Sequence, residues 1–115
     1  MSSRFYYDAD TDDVIISNKL DDEKVKKNYI FDDFVISVAG SGKIVGLEIR
    51  DVSKFLKDSG LDLGFFKDIK EVELVIVPKR DSIGIYIYLT IFCKEGTFER
   101  RIPITHLPAE IVASN

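Results

Sequence analysis

Ile83-Gly84-Ile85-Tyr86-Ile87-Tyr88-Leu89-Thr90-Ile91-Phe92-Cys93-Lys94 is the stretch that decides the fold. From Ile83 its aliphatic residues fall at every second position, the period of a strand whose two faces differ. Lys70 to Val77 and Thr97 to Ile104 flank it with similar alternation, separated by Lys79-Arg80-Asp81-Ser82 and by Glu95-Gly96. The last third of the chain therefore reads as three consecutive antiparallel strands, a meander. A four-residue first loop sets Val72, Leu74 and Ile76 against Leu89, Ile87 and Ile85. A two-residue turn at Glu95-Gly96 sets Ile87, Leu89 and Cys93 against Ile104, Ile102 and Phe98. Both turns choose the same core face. The opposite face collects Val75, Tyr86, Tyr88, Thr90 and Phe92 beside Glu71, Glu73, Glu99 and Arg101, and is only half polar.

Working outward, Phe5-Tyr6-Tyr7 and Val14-Ile15-Ile16 are short β-type runs. Asp8 to Asp13 separates them, and its Asp residues favour local turn hydrogen bonds, so the pair reads as a hairpin. Asn18 to Lys27 is a polar loop before a further pair of strands that begins near Tyr29. Phe34 to Ala39 and Lys43 to Arg50 flank Gly40-Ser41-Gly42. A turn at Ser41-Gly42 sets Val38, Ile36 and Phe34 against Val45, Leu47 and Ile49, with Ser37, Gly46 and Glu48 on the wet side. Asp51 to Ser59 reads as the one helix, with Asp51 as N-cap and Gly60 closing it in a left-handed conformation. Leu63, Phe65 and Phe66 pin a connecting segment over the core, and Ile104 onward is a short tail in which Pro108 limits any helix.

With 115 residues, 45% hydrophobic and 31% charged, the chain fits one globular domain spanning 1–115. That length buries roughly two thirds of the surface exposed when unfolded. No apolar run approaches the roughly 18 residues that cross a bilayer. Met1-Ser2-Ser3-Arg4 leads straight into a strand-like segment, so the expected location is the cytoplasm. Cys93 is the only cysteine, which excludes an internal disulfide, and its strand pattern makes it a buried structural thiol. A net charge of −4 argues against a general phosphate-backbone binder. Asp8 to Glu23 gathers Asp8, Asp10, Asp12, Asp13, Asp21, Asp22 and Glu23 against Lys19 alone, a region toward which a basic protein partner would be steered.

Tyr7-Asp8, Asp12-Asp13-Val14-Ile15-Ile16, Gly42-Lys43-Ile44-Val45-Gly46-Leu47-Glu48-Ile49 and Asp51-Val52-Ser53-Lys54 carry a family likeness. Over roughly residues 4–57 the chain resembles the YuzE-like family of small prokaryotic domains of unknown function. Gly40-Ser41 stands where that family has an acidic turn. The resemblance implies a small antiparallel sheet with one helix after the Gly-Leu-Glu-Ile strand. It implies no known activity and assigns no functional residue, and an association of some members with genes for small toxins suggests a binding role.

Residue constellations that carry chemistry are few. Asp8-x-Asp10-x-Asp12 has the opening spacing of a calcium loop, but Asp13 takes the place of the obligatory Gly and Lys19 that of the bidentate Glu, which leaves an Asp-rich turn. His106, the only histidine, stands in the tail as a surface residue. Gly40-Ser41-Gly42 lies between strands and lacks the helix and lysine-hydroxyl pair of a phosphate loop. Glu48, Glu71 and Glu73 alternate with apolar residues as the wet side of strands.

These observations predict an α+β fold, mostly antiparallel β-sheet, with about seven strands in hairpins and a C-terminal meander and one short helix near residues 51–59. They point to a non-enzymatic binding or regulatory module, a homodimer without cofactor, metal, nucleic acid or membrane. The interface candidates are Tyr86, Tyr88, Thr90, Phe92, Glu73, Glu99 and Arg101. The alternative is a small-ligand-binding protein or enzyme whose site folding assembles from dispersed carboxylates and tyrosines.

Overall fold

A computed structural model of the chain describes residues 3–61, 69–79, 84–94 and 96–115. The described elements run β1 (Arg4–Asp8), β2 (Asp13–Ser17), β3 (Val25–Phe31), β4 (Phe34–Ala39), β5 (Ile44–Ile49), α1 (Val52–Asp58), β6 (Ile69–Pro78), β7 (Gly84–Cys93), β8 (Gly96–Thr105) and α2 (Ala109–Ala113). Two antiparallel sheets result, one of five strands ordered β1-β2-β5-β4-β3 and one of three ordered β6-β7-β8. The α+β, sheet-dominated reading holds, with eight strands and two helices among the described residues.

Alternation explains which side chains meet. Val14 and Ile16 of β2, Ile36 of β4, Leu47 and Ile49 of β5, and Ile85, Ile87, Leu89 and Ile91 of β7 join one buried cluster with Val52 and Leu56 of α1 and Ile111 and Val112 of α2. Both sheets thus bury one face in a common core, the arrangement that a strand with two unlike faces requires. A chain of edge-on rings, Phe34 to Phe55 at 6.0 Å and Phe55 to Phe98 at 6.5 Å between centroids, runs through α1 from one sheet to the other.

Parity was read correctly, but register was not everywhere. Phe34 faces Ile49 and Ile36 faces Leu47, yet Val38 faces Ile44 in place of Val45, because the ladder slips between Ser37 and Val38. Ile76 faces Ile87 and Leu74 faces Leu89, two residues from the expected partners. There β6 extends to Pro78, opposite Ile85, and β7 begins at Gly84. Ile87 faces Ile102 and Ile91 faces Phe98, because Cys93 pairs with Gly96 and the turn lies one residue earlier at each side. A slip of two residues returns every side chain to its original face, so the core assignment survives. Cys93 is only half-buried at the end of β7, with its thiol 3.1 Å from the Gly96 carbonyl, and is not the buried thiol its strand pattern suggested.

The helix differs from expectation at its start. Asp51 is itself left-handed (φ 51°) and makes no side-chain cap. The carboxylate of Asp12, from the β1–β2 turn, accepts the Ser53 N–H (3.2 Å) and the Ser53 hydroxyl (2.7 Å), and its carbonyl accepts the Val52 N–H. Removing this cap with Asp12→Ala is expected to cost about 1–2 kcal/mol in urea unfolding, with Asp12→Asn retaining most of it. Gly60 (φ 79°) ends the helix as read: its N–H reaches the Lys57 carbonyl, and Leu61 N–H the Leu56 carbonyl.

The tail forms an element too. Leu107, Ile111 and Val112 are buried, and Pro108, placed just before the first turn of α2, needs no N–H there. Asn115 then ties α2 to the β4–β5 turn, its Oδ1 accepting the Ile44 N–H (3.0 Å) and its amide donating to the Gly42 carbonyl (3.1 Å).

Edges are managed strand by strand. The outer side of β6 is met by Ser3, whose N–H donates to Val72 and whose hydroxyl accepts the Leu74 N–H, and by Asn18, whose amide donates to the Leu74 carbonyl. Edge strand β8 carries Pro103, a residue tolerated in a sheet where no ladder bond is lost. Exposed Lys26 and Lys27 lie on edge strand β3. The segment holding Leu63, Phe65 and Phe66 lies outside the described residues.

Candidate interaction face

The alternation that buries Ile85, Ile87, Leu89 and Ile91 turns Tyr86, Tyr88, Thr90 and Phe92 to the other side of the meander. Register then builds four cross-strand rows on that side. Val77, Tyr86 and Pro103 form the first; Val75, Tyr88 and Arg101 the second; Glu73, Thr90 and Glu99 the third; Glu71, Phe92 and Thr97 the fourth. All seven residues named from the sequence fall on this one face. Val77 and Pro103, which alternation places on the same side, extend it.

The face has two unlike ends. Val75, Val77 and Tyr88 are 50%, 40% and 38% exposed, while Tyr86 and Phe92 are half-buried. Tyr86 and Tyr88 pack side by side with centroids 6.2 Å apart. The Lys79 ammonium and the Arg101 guanidinium each stand 4.9 Å from the Tyr86 ring centre, where a cation is attracted to the π-face. One end is therefore aromatic and basic, whereas Glu73 and Glu99 flank Thr90 toward the other. Thr90 is small between larger neighbours, and a shallow depression of about 410 Å³ opens there, lined by Tyr88, Thr90, Glu99 and Arg101 among others.

The five-stranded sheet also exposes apolar side chains, Tyr6, Ile15 and Ile30. Glu48 stands between them in the row Tyr6, Ile15, Glu48, Val35 and Ile30, and pairs with Arg50 at 3.4 Å. A carboxylate at its centre divides that band, whereas Val75, Val77, Tyr86 and Tyr88 are contiguous.

Carboxylates elsewhere have structural duties. Asp8 accepts the Asp10 N–H at 3.0 Å in a local turn, and Asp12 caps α1. The Tyr7 hydroxyl donates to Asp12 (3.1 Å), and desolvation, then that hydrogen bond and the charges of Asp12 and Asp8, raise its pKa above the ordinary value of 10.0. The folded state thus favours the neutral phenol. Its contribution to stability is complete below about pH 10 and is lost as pH rises through the raised value. The urea midpoint should fall more steeply above pH 10 in the parent chain than in Tyr7→Phe.

Among the described residues no group of three His, Cys, Asp or Glu side chains is placed to hold a metal ion, and no helix is long and apolar enough to cross a membrane. His106 is exposed, with a left-handed backbone (φ 64°). Comparison with family models, with curated proteins and with solved structures finds no match to this chain.

Proposed function

We propose that the chain is a small non-enzymatic binding module of the cytoplasm that works as a homodimer, joined through the outer face of the meander. The observation that carries this reading is the contiguous exposure of Val75, Val77 and Tyr88 beside Tyr86. An open aromatic and aliphatic patch is a recurrent mark of protein contact surfaces, in which Tyr and Arg are enriched. Carboxylates on the same face disfavour nucleic acid as its occupant, because phosphate would be repelled. The Asp-rich stretch of residues 8–23 suits a basic protein as the further partner of the dimer. Placement of residues 4–57 with the YuzE-like domains is likewise a proposal, supported by the helix that follows Gly46-Leu47-Glu48-Ile49.

Light scattering tests the reading. At tens of micromolar the mass should be twice the chain's 13.1 kDa. Tyr88→Ala should shift the midpoint of dissociation upward by about 30-fold, equivalent to about 2 kcal/mol for a central aromatic contact. A parent protein that keeps the mass of one chain up to about 100 μM, the weak end of specific association, overturns it.

A further inference from the structure

The two unlike ends of the meander face are self-complementary in only one orientation, and this specifies how a second copy would lie. We propose that two copies pack face to face about a twofold axis that runs across the strands, between the Tyr88 row and the Thr90 row. The inference rests on the homodimer reading and deepens it.

Of the twofold axes in the plane between the sheets, two leave the strands of the copies aligned, as face-to-face sheets commonly pack. An axis along the strands keeps each row over itself and exchanges β6 with β8. Glu73 then lies over the partner's Glu99, Val75 over the partner's Arg101, and Tyr88 over the partner's Tyr88. Like charges meet, a guanidinium is laid on an aliphatic side chain, and the bulkiest residues coincide while the depression at Thr90 faces its own copy.

An axis across the strands keeps each strand over itself and reverses the rows. Arg101 then lies over the partner's Glu99, both exposed on β8. Tyr88 enters the depression of about 410 Å³ beside the partner's Thr90. Tyr86 meets the partner's Phe92. On β7 and β8 the contacts become a charge pair, a ring in a hollow and a ring on a ring, each occurring twice, while on β6 Val75 lies over the partner's Glu73 and Val77 over the partner's Glu71. The natural twist of the sheets sets the two copies about 30° off alignment, as in a sandwich.

Strands of ten residues span about 33 Å, and three of them about 14 Å in width, a projected footprint of roughly 450 Å² on each copy. Two such footprints, about 900 Å² together, put the contact in the size class of weak, concentration-dependent association.

Charge exchange at Glu99 and Arg101 tests the axis. Glu99→Arg and Arg101→Glu alone should each raise the dissociation midpoint by at least about tenfold, because the twofold axis removes the charge pair twice. The double variant should return to within about threefold of the parent, with unfolding midpoints confirming that all three variants fold. In a Cys93→Ser background, chains carrying Arg101→Cys mixed with chains carrying Glu99→Cys should be joined by a short bismaleimide that spans the roughly 10 Å between packed sheets, a gap too wide for a direct disulfide. A mixture of Glu73→Cys and Glu99→Cys chains should not. A double variant as weak as the singles, or cross-linking of the second mixture in place of the first, overturns the axis while leaving self-association intact. A parent chain that scatters as a monomer overturns the homodimer reading itself.

Discussion

Ile87→Ala is expected to lower the unfolding free energy by about 3–4 kcal/mol. Ile87 is 0% exposed and lies in the central strand of its sheet, flanked by Ile76 on β6 and Ile102 on β8. Neighbours held on both sides by ladder hydrogen bonds cannot close in on the space left, so both the transfer loss and the cavity contribute. Against a typical total of about 5–15 kcal/mol, such a loss removes a substantial part of the fold's stability. Urea unfolding monitored by tyrosine fluorescence gives the value, and Ile87→Val should cost only about 1 kcal/mol. One residue further along the strand, on the opposite face, Tyr88→Ala should cost the single chain only about 1 kcal/mol, the loss of strand propensity and cross-strand contact. Equal losses at the two positions would contradict the assignment of faces.

Gly84→Ala should cost about 2–3 kcal/mol for the opposite reason. A Cβ built on Gly84 falls 2.3 Å from the Ile104 carbonyl oxygen and 3.2 Å from the Thr105 Cα. These are backbone atoms of the paired strand, which cannot rotate aside, so β7 and β8 must part where Gly84 faces Thr105. The reduced freedom of the unfolded chain returns only about 0.4–1 kcal/mol. Differential scanning calorimetry should show a melting temperature lowered by at least about 8 °C. A change of less than about 2 °C would mean that the strand ends separate without loss. Gly60 offers the contrast: its surroundings are open, and a substitution there suffers only from the left-handed backbone.

What was legible in the sequence follows from how far each signal reaches. Alternation is a property of one strand and is written locally, so the faces of β7, and with them Tyr86, Tyr88, Thr90 and Phe92, could be assigned before any pairing was known. Register depends on where a turn begins, and here Pro78 and Cys93 each still belong to a strand. α2 was missed because five residues after a proline carry little helical signal of their own, and burial of Ile111 and Val112 supplies what propensity lacks. Sequence proximity points to the adjacent Asp51 as the cap of α1, whereas the carboxylate that does the capping, Asp12, lies 41 residues before the Ser53 it holds. No local rule connects a hairpin turn with a helix so remote in sequence.

Pro103 on β8 and the lysines of β3 have a consequence for what copies of this chain can build. A strand that offers neither a full set of donors nor a neutral rim is a poor template for further strands, so sheet extension from molecule to molecule is blocked at these two edges. Association directed to a flat surface with twofold symmetry closes after two molecules, because the patch is consumed by its own image. Proline at one edge and lysine at another thus work against open-ended fibres, which exposed β-rich segments would otherwise favour. Pro103→Val combined with Lys26→Thr and Lys27→Thr would remove both obstacles without touching the buried core.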